Sequence, residues 1–111
     1  MKHLMILWDD PFKMISCGQK DIEMRLYDEK RRKINVGDTI EFTNKKTNHK
    51  IEVIVINLHI YDSFEMLYSK FEKTRLGYKK DEIANPKDME TYYSKQAILD
   101  NKVVGIEIKV I

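Results

Sequence analysis

The stretch Gly18-Gln-Lys-Asp-Ile-Glu-Met-Arg25 decides the fold of this chain. Gly18 is expected to end a helix, because glycine readily adopts the positive φ at which many helices terminate. The residues after it alternate between apolar and polar side chains, which is the period of a strand with one face in a core. The predicted inner face consists of Ile22, Met24 and Leu26, and the opposite face of Glu23, Arg25 and Tyr27.

The charged side chains Lys20, Glu23 and Arg25 are more than this strand needs to fill a sheet. One interpretation is an exposed strand face with a salt bridge worth about 0–1 kcal/mol. The other is the polar floor of a cleft, in which Glu23 orients Lys20 and Arg25 binds a phosphate or carbonyl group through its planar fork. Lys20 is one residue out of phase with Glu23, so a bulge or the turn after Gly18 must bring it to the same site.

Length and composition indicate one compact domain, residues 1–111, with 42% hydrophobic and 34% charged residues. The net charge of +2 is small for a protein held on nucleic acid mainly through phosphate groups, so any such contact should be local. The single cysteine, Cys17, excludes an internal disulfide and is expected to be a buried thiol. No apolar run approaches the ~18 residues of a membrane span and no cleavage-site pattern follows the first run, so we expect an unprocessed cytoplasmic protein without a membrane segment.

Apolar periodicity along the chain predicts five strands and three helices. The strands are expected at 3–8, 21–27, 39–42, 50–61 and 103–111. The helices are expected at 10–18, at 64–71 and from Pro86 through Ile98. Asp10 is expected to cap the first helix and Asp62-Ser63 the second. Helices after the first and fourth strands favour a small α+β, barrel-like domain over a doubly wound parallel sheet.

The sequence also allows predictions for two connecting segments and for one glycine of the last strand. Residues 28–33, DEKRRK, are expected to form a solvated loop, and the alternative is a basic lip for an anionic partner made by Lys30, Arg31, Arg32 and Lys33. Residues 72–86 are the longest irregular stretch, which in a small domain is commonly functional or mobile. Gly105 is expected to mark a close backbone approach or a bend in the last strand.

The zinc, P-loop and dinucleotide-binding patterns are absent from this sequence. Its three histidines, His3, His49 and His59, are far apart, and each is expected to be a surface or strand residue rather than a ligand or a base. We therefore predict neither a metal nor a cofactor. If the protein is an enzyme, a lysine or a carboxylate must do the chemistry.

The pattern Gly-x-Lys-x-x-Glu-x-Arg at 18–25 resembles the hallmark of the ASCH domain, a small β-barrel in the PUA-like superfamily. The similarity extends over the chain and includes 28–38, Tyr92-Tyr93-Ser94 and 103–108. It implies a PUA-like barrel with a cleft where Lys20, Glu23 and Arg25 gather, in a family generally thought to bind RNA or nucleotides.

Three aromatic residues are further ligand-binding candidates in such a cleft, Trp8, Tyr27 and Tyr93. An aromatic ring can stack on a base, which is the role considered for Trp8. A buried position at the barrel rim is nevertheless the favoured interpretation for Trp8. For Tyr93 the alternative is core packing of an amphipathic helix.

The same resemblance includes two enzymatic branches. Small bacterial ASCH-like amidohydrolases remove the acetyl group from N4-acetylcytidine, with the motif lysine, here Lys20, as the proposed nucleophile. They carry threonine where this chain has Glu23, and a carboxylate would favour the charged ammonium group, the opposite of what nucleophilic attack requires. Their partner carboxylate would correspond to Glu82 or Glu90.

A second ASCH-like protein is reported to cleave RNA with a lysine, a tyrosine and a serine. The matching residues would be Lys20, Tyr93 and Ser94. Glu23 is a further catalytic candidate if the protein is an enzyme. We expect the protein to bind RNA or a nucleoside- or nucleotide-like ligand in the motif cleft. The alternatives are a hydrolase that acts through Lys20 and a protein-interaction module without ligand chemistry.

Overall fold

The computed structural model describes residues 1–111 and is built around one five-stranded mixed sheet. The strands are β1 Lys2–Leu7, β2 Ile22–Leu26, β3 Thr39–Asn44, β4 Lys50–Tyr61 and β5 Val103–Val110. Their order is β1-β3-β4-β5-β2, with β1 parallel to β3 and every other neighbouring pair antiparallel. The sheet curves into a half-barrel whose two edges are β1 and β2. The predicted small α+β, barrel-like fold is confirmed.

Helices cover the sheet and join its strands. The α-helices are α1 Asp9–Ser16, α2 Glu29–Arg32, α3 Phe64–Lys70 and α4 Lys95–Asn101, and two 3₁₀ helices span Lys73–Leu76 and Pro86–Thr91. The α-helices of seven or more residues number three, as predicted. None of the helices combines the length and the apolar character needed to span a bilayer.

Two predictions about helix placement were wrong. The helix expected from Pro86 through Ile98 is split, because Ser94 has extended backbone and its Oγ accepts a hydrogen bond from the Ala97 amide at 3.1 Å, which starts α4 afresh. The expected loop at 28–33 contains the short helix α2, because the Asp28 carboxylate accepts from the Arg31 amide at 3.1 Å.

The ends of α1 also differ in part from expectation. The helix begins at Asp9, directly after Trp8, so Asp10 is not its N-cap. Cys17 was expected to be buried but is exposed, because it lies beyond the last helical residue. Gly18 has the predicted positive φ, +86°. The predicted cap of α3 is confirmed, since Ser63 Oγ accepts from the Met66 amide at 3.2 Å.

The sheet buries side chains on both of its faces, in two clusters. The barrel interior is filled by residues of β1, α1, β3, β4 and the even positions of β5, among them Phe42, Val53 and Ile106. The other cluster lies under α3 and the 3₁₀ helices, and it contains the predicted inner face of β2, Ile22, Met24 and Leu26. Glu23 and Arg25 therefore face the barrel side of β2, near the gap between the two edge strands.

Gly105 lies inside the sheet, under the cluster that contains Ile22 and Leu67. A Cβ on Gly105 would lie 3.1 Å from Ile22 Cγ2 and 3.4 Å from Leu67 Cδ1, so the atoms that approach this glycine closely belong to side chains and not to another backbone segment. Across the open edge, Arg25 Nη2 of β2 donates to the Ile6 carbonyl of β1 at 3.3 Å. The half-barrel is thus closed at this point by a side chain instead of a strand.

Candidate functional site

A cleft of about 590 Å³ opens between the edge strands and the two 3₁₀ helices. Its volume lies within the range of roughly 300–1,000 Å³ that is usual for small-molecule sites. Apolar and polar residues line it in nearly equal numbers, and the three motif residues Lys20, Glu23 and Arg25 are among them. The residues of the sequence motif therefore lie together in this cleft.

The floor of the cleft is a buried ion-pair chain centred on Glu23. Glu23 Oε1 lies 3.1 Å from Lys20 Nζ, and Oε2 accepts from Arg25 Nε and Nη2 at 3.0 and 2.9 Å. Glu23 is 4% exposed and Lys20 8% exposed, so this is not a solvated strand face. Both carboxylate oxygens are occupied, and the carboxylate fixes the position of two cationic donors.

Lys20 reaches this floor through the turn after Gly18, one of the two routes considered from the sequence. Its amide donates to the Met14 carbonyl at 3.1 Å, which folds the chain back before β2 begins. Its Nζ donates to the Leu76 carbonyl at 3.1 Å. The next residue, Gly77, has a φ of +105°, and a Cβ there would lie only 3.1 Å from Lys20 Cδ. A glycine at this position leaves room for the lysine side chain.

The charges of Glu23 and Arg25 stabilise each other in this low-dielectric site. Burial alone would raise the pKa of Glu23, but the charges and hydrogen bonds of Lys20 and Arg25 outweigh it and hold that pKa below its ordinary value. Burial would likewise lower the pKa of Arg25, and Glu23 reverses that effect. The floor therefore presents fixed donors at neutral pH.

A second polar group, which the sequence did not reveal, forms the facing wall. The hydroxyl oxygens of Tyr68 and Tyr78 lie 2.8 Å apart, and Tyr78 donates to Asp88 Oδ2 at 2.8 Å. Burial raises the pKa of both tyrosines, so their hydroxyl groups stay protonated. The only signal in the sequence was the unusual length of the irregular stretch that contains Tyr78.

Trp8 and Tyr93 also line the cleft, in different ways. Trp8 was expected to be buried, but it is 59% exposed because it follows the last residue of the edge strand β1. Lys45 Nζ lies 4.1 Å from the centroid of its ring. Tyr93 is half-buried and stacks on Phe64, with ring centroids 6.2 Å apart, so it belongs both to the core and to the wall.

The structure does not bring the remaining candidates into the cleft lining, apart from Glu82. Tyr27 packs against the barrel core under the Arg32 guanidinium, which lies 4.3 Å from its ring centroid. Ser94 is occupied as the exposed cap of α4. Glu90 instead pairs with a surface lysine at 3.7 Å.

The histidines and acidic residues do not form a metal site. No three His, Cys, Asp or Glu side chains converge as potential ligands. His3 lies 2.8 Å from Asp38 and His59 2.8 Å from Glu107, outside the cleft. The chemistry available in the cleft is hydrogen bonding, charge and aromatic contact.

Known proteins share this architecture. Residues 5–109 match the ASCH domain family. The crystal structure of the hypothetical protein PH0355 is 31% identical, with a TM-score of 0.84 and 100% of both chains covered. The solution NMR structure of protein PF0455 from Pyrococcus furiosus is 30% identical, with a TM-score of 0.78, and the match covers 100% of this chain and 98% of that one. None of the curated proteins matches the chain.

A more distant likeness concerns the fold alone. A crystal structure of a serine-to-alanine mutant of the ASCH protein from Zymomonas mobilis is 13% identical, with a TM-score of 0.72, over 97% of this chain and 67% of that one. Fold and cleft together define a small PUA-like α+β domain. The chain belongs to the ASCH domain family.

Proposed function

We propose that the cleft binds a nucleobase of an RNA segment or of a nucleotide-like ligand. The observation that carries the proposal is the buried Lys20–Glu23–Arg25 chain at the cleft floor. Arg25 uses Nε and Nη2 on Glu23 and Ile6, and its Nη1 has no partner within the protein. Such a held donor fits a carbonyl or ring-nitrogen acceptor on a base edge.

The rim of the cleft supplies what a planar ligand needs. Trp8 is exposed on the cleft side, and an aromatic ring stacks on a base regardless of the base's identity. Tyr93 and the Tyr68–Tyr78 pair offer further ring surface and hydroxyl groups to the same space. Stacking at the rim and hydrogen bonding at the floor together support recognition of a base.

Hydrolysis through Lys20 is the competing function implied by the family resemblance. Here Lys20 Nζ is engaged by Glu23 at 3.1 Å and by the Leu76 carbonyl at 3.1 Å. A nucleophilic lysine needs an amine that is free to attack, and here both contacts occupy Nζ. We therefore place binding ahead of catalysis.

A paired experiment separates these functions. Release of cytidine from N4-acetylcytidine is measured on wild type and Lys20→Ala, together with thermal-shift titrations of nucleosides and short RNAs. Binding predicts ligand-dependent stabilisation without turnover, reduced in Lys20→Ala. Turnover that vanishes in Lys20→Ala would make the protein a hydrolase, and no response to any ligand would leave an interaction module.

Trp8→Ala is the second variant, because an exposed ring can be removed with little effect on folding. It is expected to weaken the ligand-induced shift several-fold. Lys70→Ala is the matched control, since Lys70 is exposed at the end of α3 and does not line the cleft.

A further inference from the structure

An exposed apolar strip runs along β1 away from the cleft. Leu4, Ile6 and Trp8 alternate with inward-facing residues and are 60%, 65% and 59% exposed. Ile6 and Trp8 also line the cleft, so the strip continues its wall. From Leu4 to Trp8 the strand extends about 13 Å. We call these residues the β1 strip.

The exposed aromatic surface of the chain is concentrated at the same place. Among all phenylalanine, tyrosine and tryptophan residues, two are exposed, Trp8 and Tyr92, and both line the cleft. Lys45, which covers one face of the Trp8 ring, does not line the cleft, so the cleft side of that ring is left open. Stacking surface is therefore available at the point where the strip leaves the cleft.

The cleft and the β1 strip differ in the charges that surround them. The cleft lining holds three cations and four carboxylates, namely Lys20, Arg25 and Lys79 against Asp10, Glu23, Glu82 and Asp88. Two of those cations are already paired with Glu23. The cleft thus suits an uncharged base better than a phosphate group.

The two ends of the β1 strip, by contrast, carry lysines without a carboxylate partner. Lys45 lies over Trp8 at one end. At the other end, Lys30 Nζ donates to the Leu4 carbonyl at 3.4 Å, and neither lysine forms a salt bridge. Phosphate groups of a chain lying along the strip would meet these two cations.

The free edge of β1 is poorly suited to a protein strand. The carbonyl groups of Leu4 and Ile6 are occupied by Lys30 and Arg25, which are positively charged. Side chains that cover an edge in this way hinder pairing with another strand. A single-stranded nucleic acid needs no such backbone groups, because it contacts cations and apolar or aromatic surface.

We propose that the ligand is a single-stranded RNA chain, whose base enters the cleft while the adjoining nucleotides lie along the β1 strip between Lys45 and Lys30. This rests on the proposed function, to which it adds the polymeric nature of the ligand and its path. A free nucleoside would fill only the cleft. Affinity should therefore rise when the ligand is lengthened.

Trp8 is the only tryptophan of the chain and reports on the test directly. Its fluorescence is followed while the four ribonucleosides, their 5′-monophosphates and single-stranded RNAs of three to five nucleotides are titrated. We expect at least a tenfold gain in affinity from nucleoside to RNA and little gain from the 5′-phosphate. Contacts to about two phosphates predict a slope of log affinity against log salt near −1.4 for RNA.

The gain on lengthening is then compared within each variant. Leu4 lies on the β1 strip and Lys30 at one end of it, both outside the cleft lining, and Leu4→Ser and Lys30→Gln should each reduce the gain at least threefold. Lys70→Gln, on α3, is the matched charge control and should retain the gain.

Two failures are distinguishable. Nucleosides that bind as tightly as RNA, or a gain that survives in Leu4→Ser and Lys30→Gln, would overturn the RNA path and leave the base-binding cleft standing. Absence of binding by nucleosides and RNA alike would overturn both proposals.

Discussion

Glu23 is the residue on which the cleft floor depends, because its carboxylate is shared by Lys20 and Arg25. Glu23→Gln leaves two buried cations without their counter-charge, and we expect a loss of about 3 kcal/mol in the free energy of unfolding. Urea denaturation measures this. Glu90→Gln, which breaks a surface ion pair, is the control and should cost less than about 1 kcal/mol. Equal effects would contradict a buried, paired Glu23.

Gly77 offers a matched test of the space around Lys20. Gly77 and Gly37 have φ values of +105° and +95°, so alanine is strained at both positions, by about 1–3 kcal/mol. Only at Gly77 would the added Cβ meet another group, the Lys20 side chain at 3.1 Å. We expect Gly77→Ala to weaken ligand binding as well as stability, and Gly37→Ala to affect stability alone. Thermal-shift titration of both variants distinguishes these outcomes.

At the level of elements, Arg75 ties the first 3₁₀ helix to the sheet. Its guanidinium donates to Asp21 at 2.9 and 3.2 Å and lies 3.4 Å from a Glu107 oxygen. The same helix presents the Leu76 carbonyl to Lys20. Arg75 is therefore a positioning residue for the cleft floor.

We expect Arg75→Ala to speed hydrogen exchange at the Gly77 and Tyr78 amides, which donate within this helical turn. Arg32→Ala is the control, because Arg32 stacks on a tyrosine away from the cleft. Unchanged exchange at Gly77 and Tyr78 in Arg75→Ala would show that the turn holds without the arginine.

Strands were more accessible to sequence reasoning than the helices and the cleft wall. The alternation of apolar and polar residues in β2 predicted which side chains lie on each face of the strand. Successive side chains of a strand point to opposite faces, so the burial of one set fixes the position of the other. The break at Ser94 was missed because an apolar helical period continues across it, and only the serine side chain caps a new helix. The Tyr68–Tyr78–Asp88 wall depends on contacts between distant segments, which a pattern read along the chain does not contain.

For the whole molecule, acid is expected to destabilise the fold through specific carboxylates. Several contacts lower the pKa of Asp38 to about 2, and the hydrogen bond from His3 has the largest effect. The pKa of Glu23 is also lower than its ordinary value. A carboxyl group whose pKa is lower in the folded state stabilises the protein above its unfolded value, near 4, and loses this effect as the pH falls through the folded value. The urea concentration at the midpoint of unfolding should therefore decrease as the pH is lowered from about 5 to about 2.

Asp38→Asn should flatten that pH dependence, because the variant has no carboxyl group to protonate at this position. Its control is Asp100→Asn, an exposed carboxylate on α4. The same slope in wild type and Asp38→Asn would exclude Asp38 as a source of the acid sensitivity.

The central claim is that the Lys20–Glu23–Arg25 cleft receives a base of a single-stranded RNA. An NMR titration of the isotope-labelled protein with a short RNA tests it most directly, by following every backbone amide and the Trp8 indole. The claim predicts that shifts cluster at 18–25, at 76–79 and at Trp8, and extend along β1. Shifts confined to α4 or the β3–β4 turn, or no shifts at RNA concentrations that saturate known single-strand binders, would contradict it.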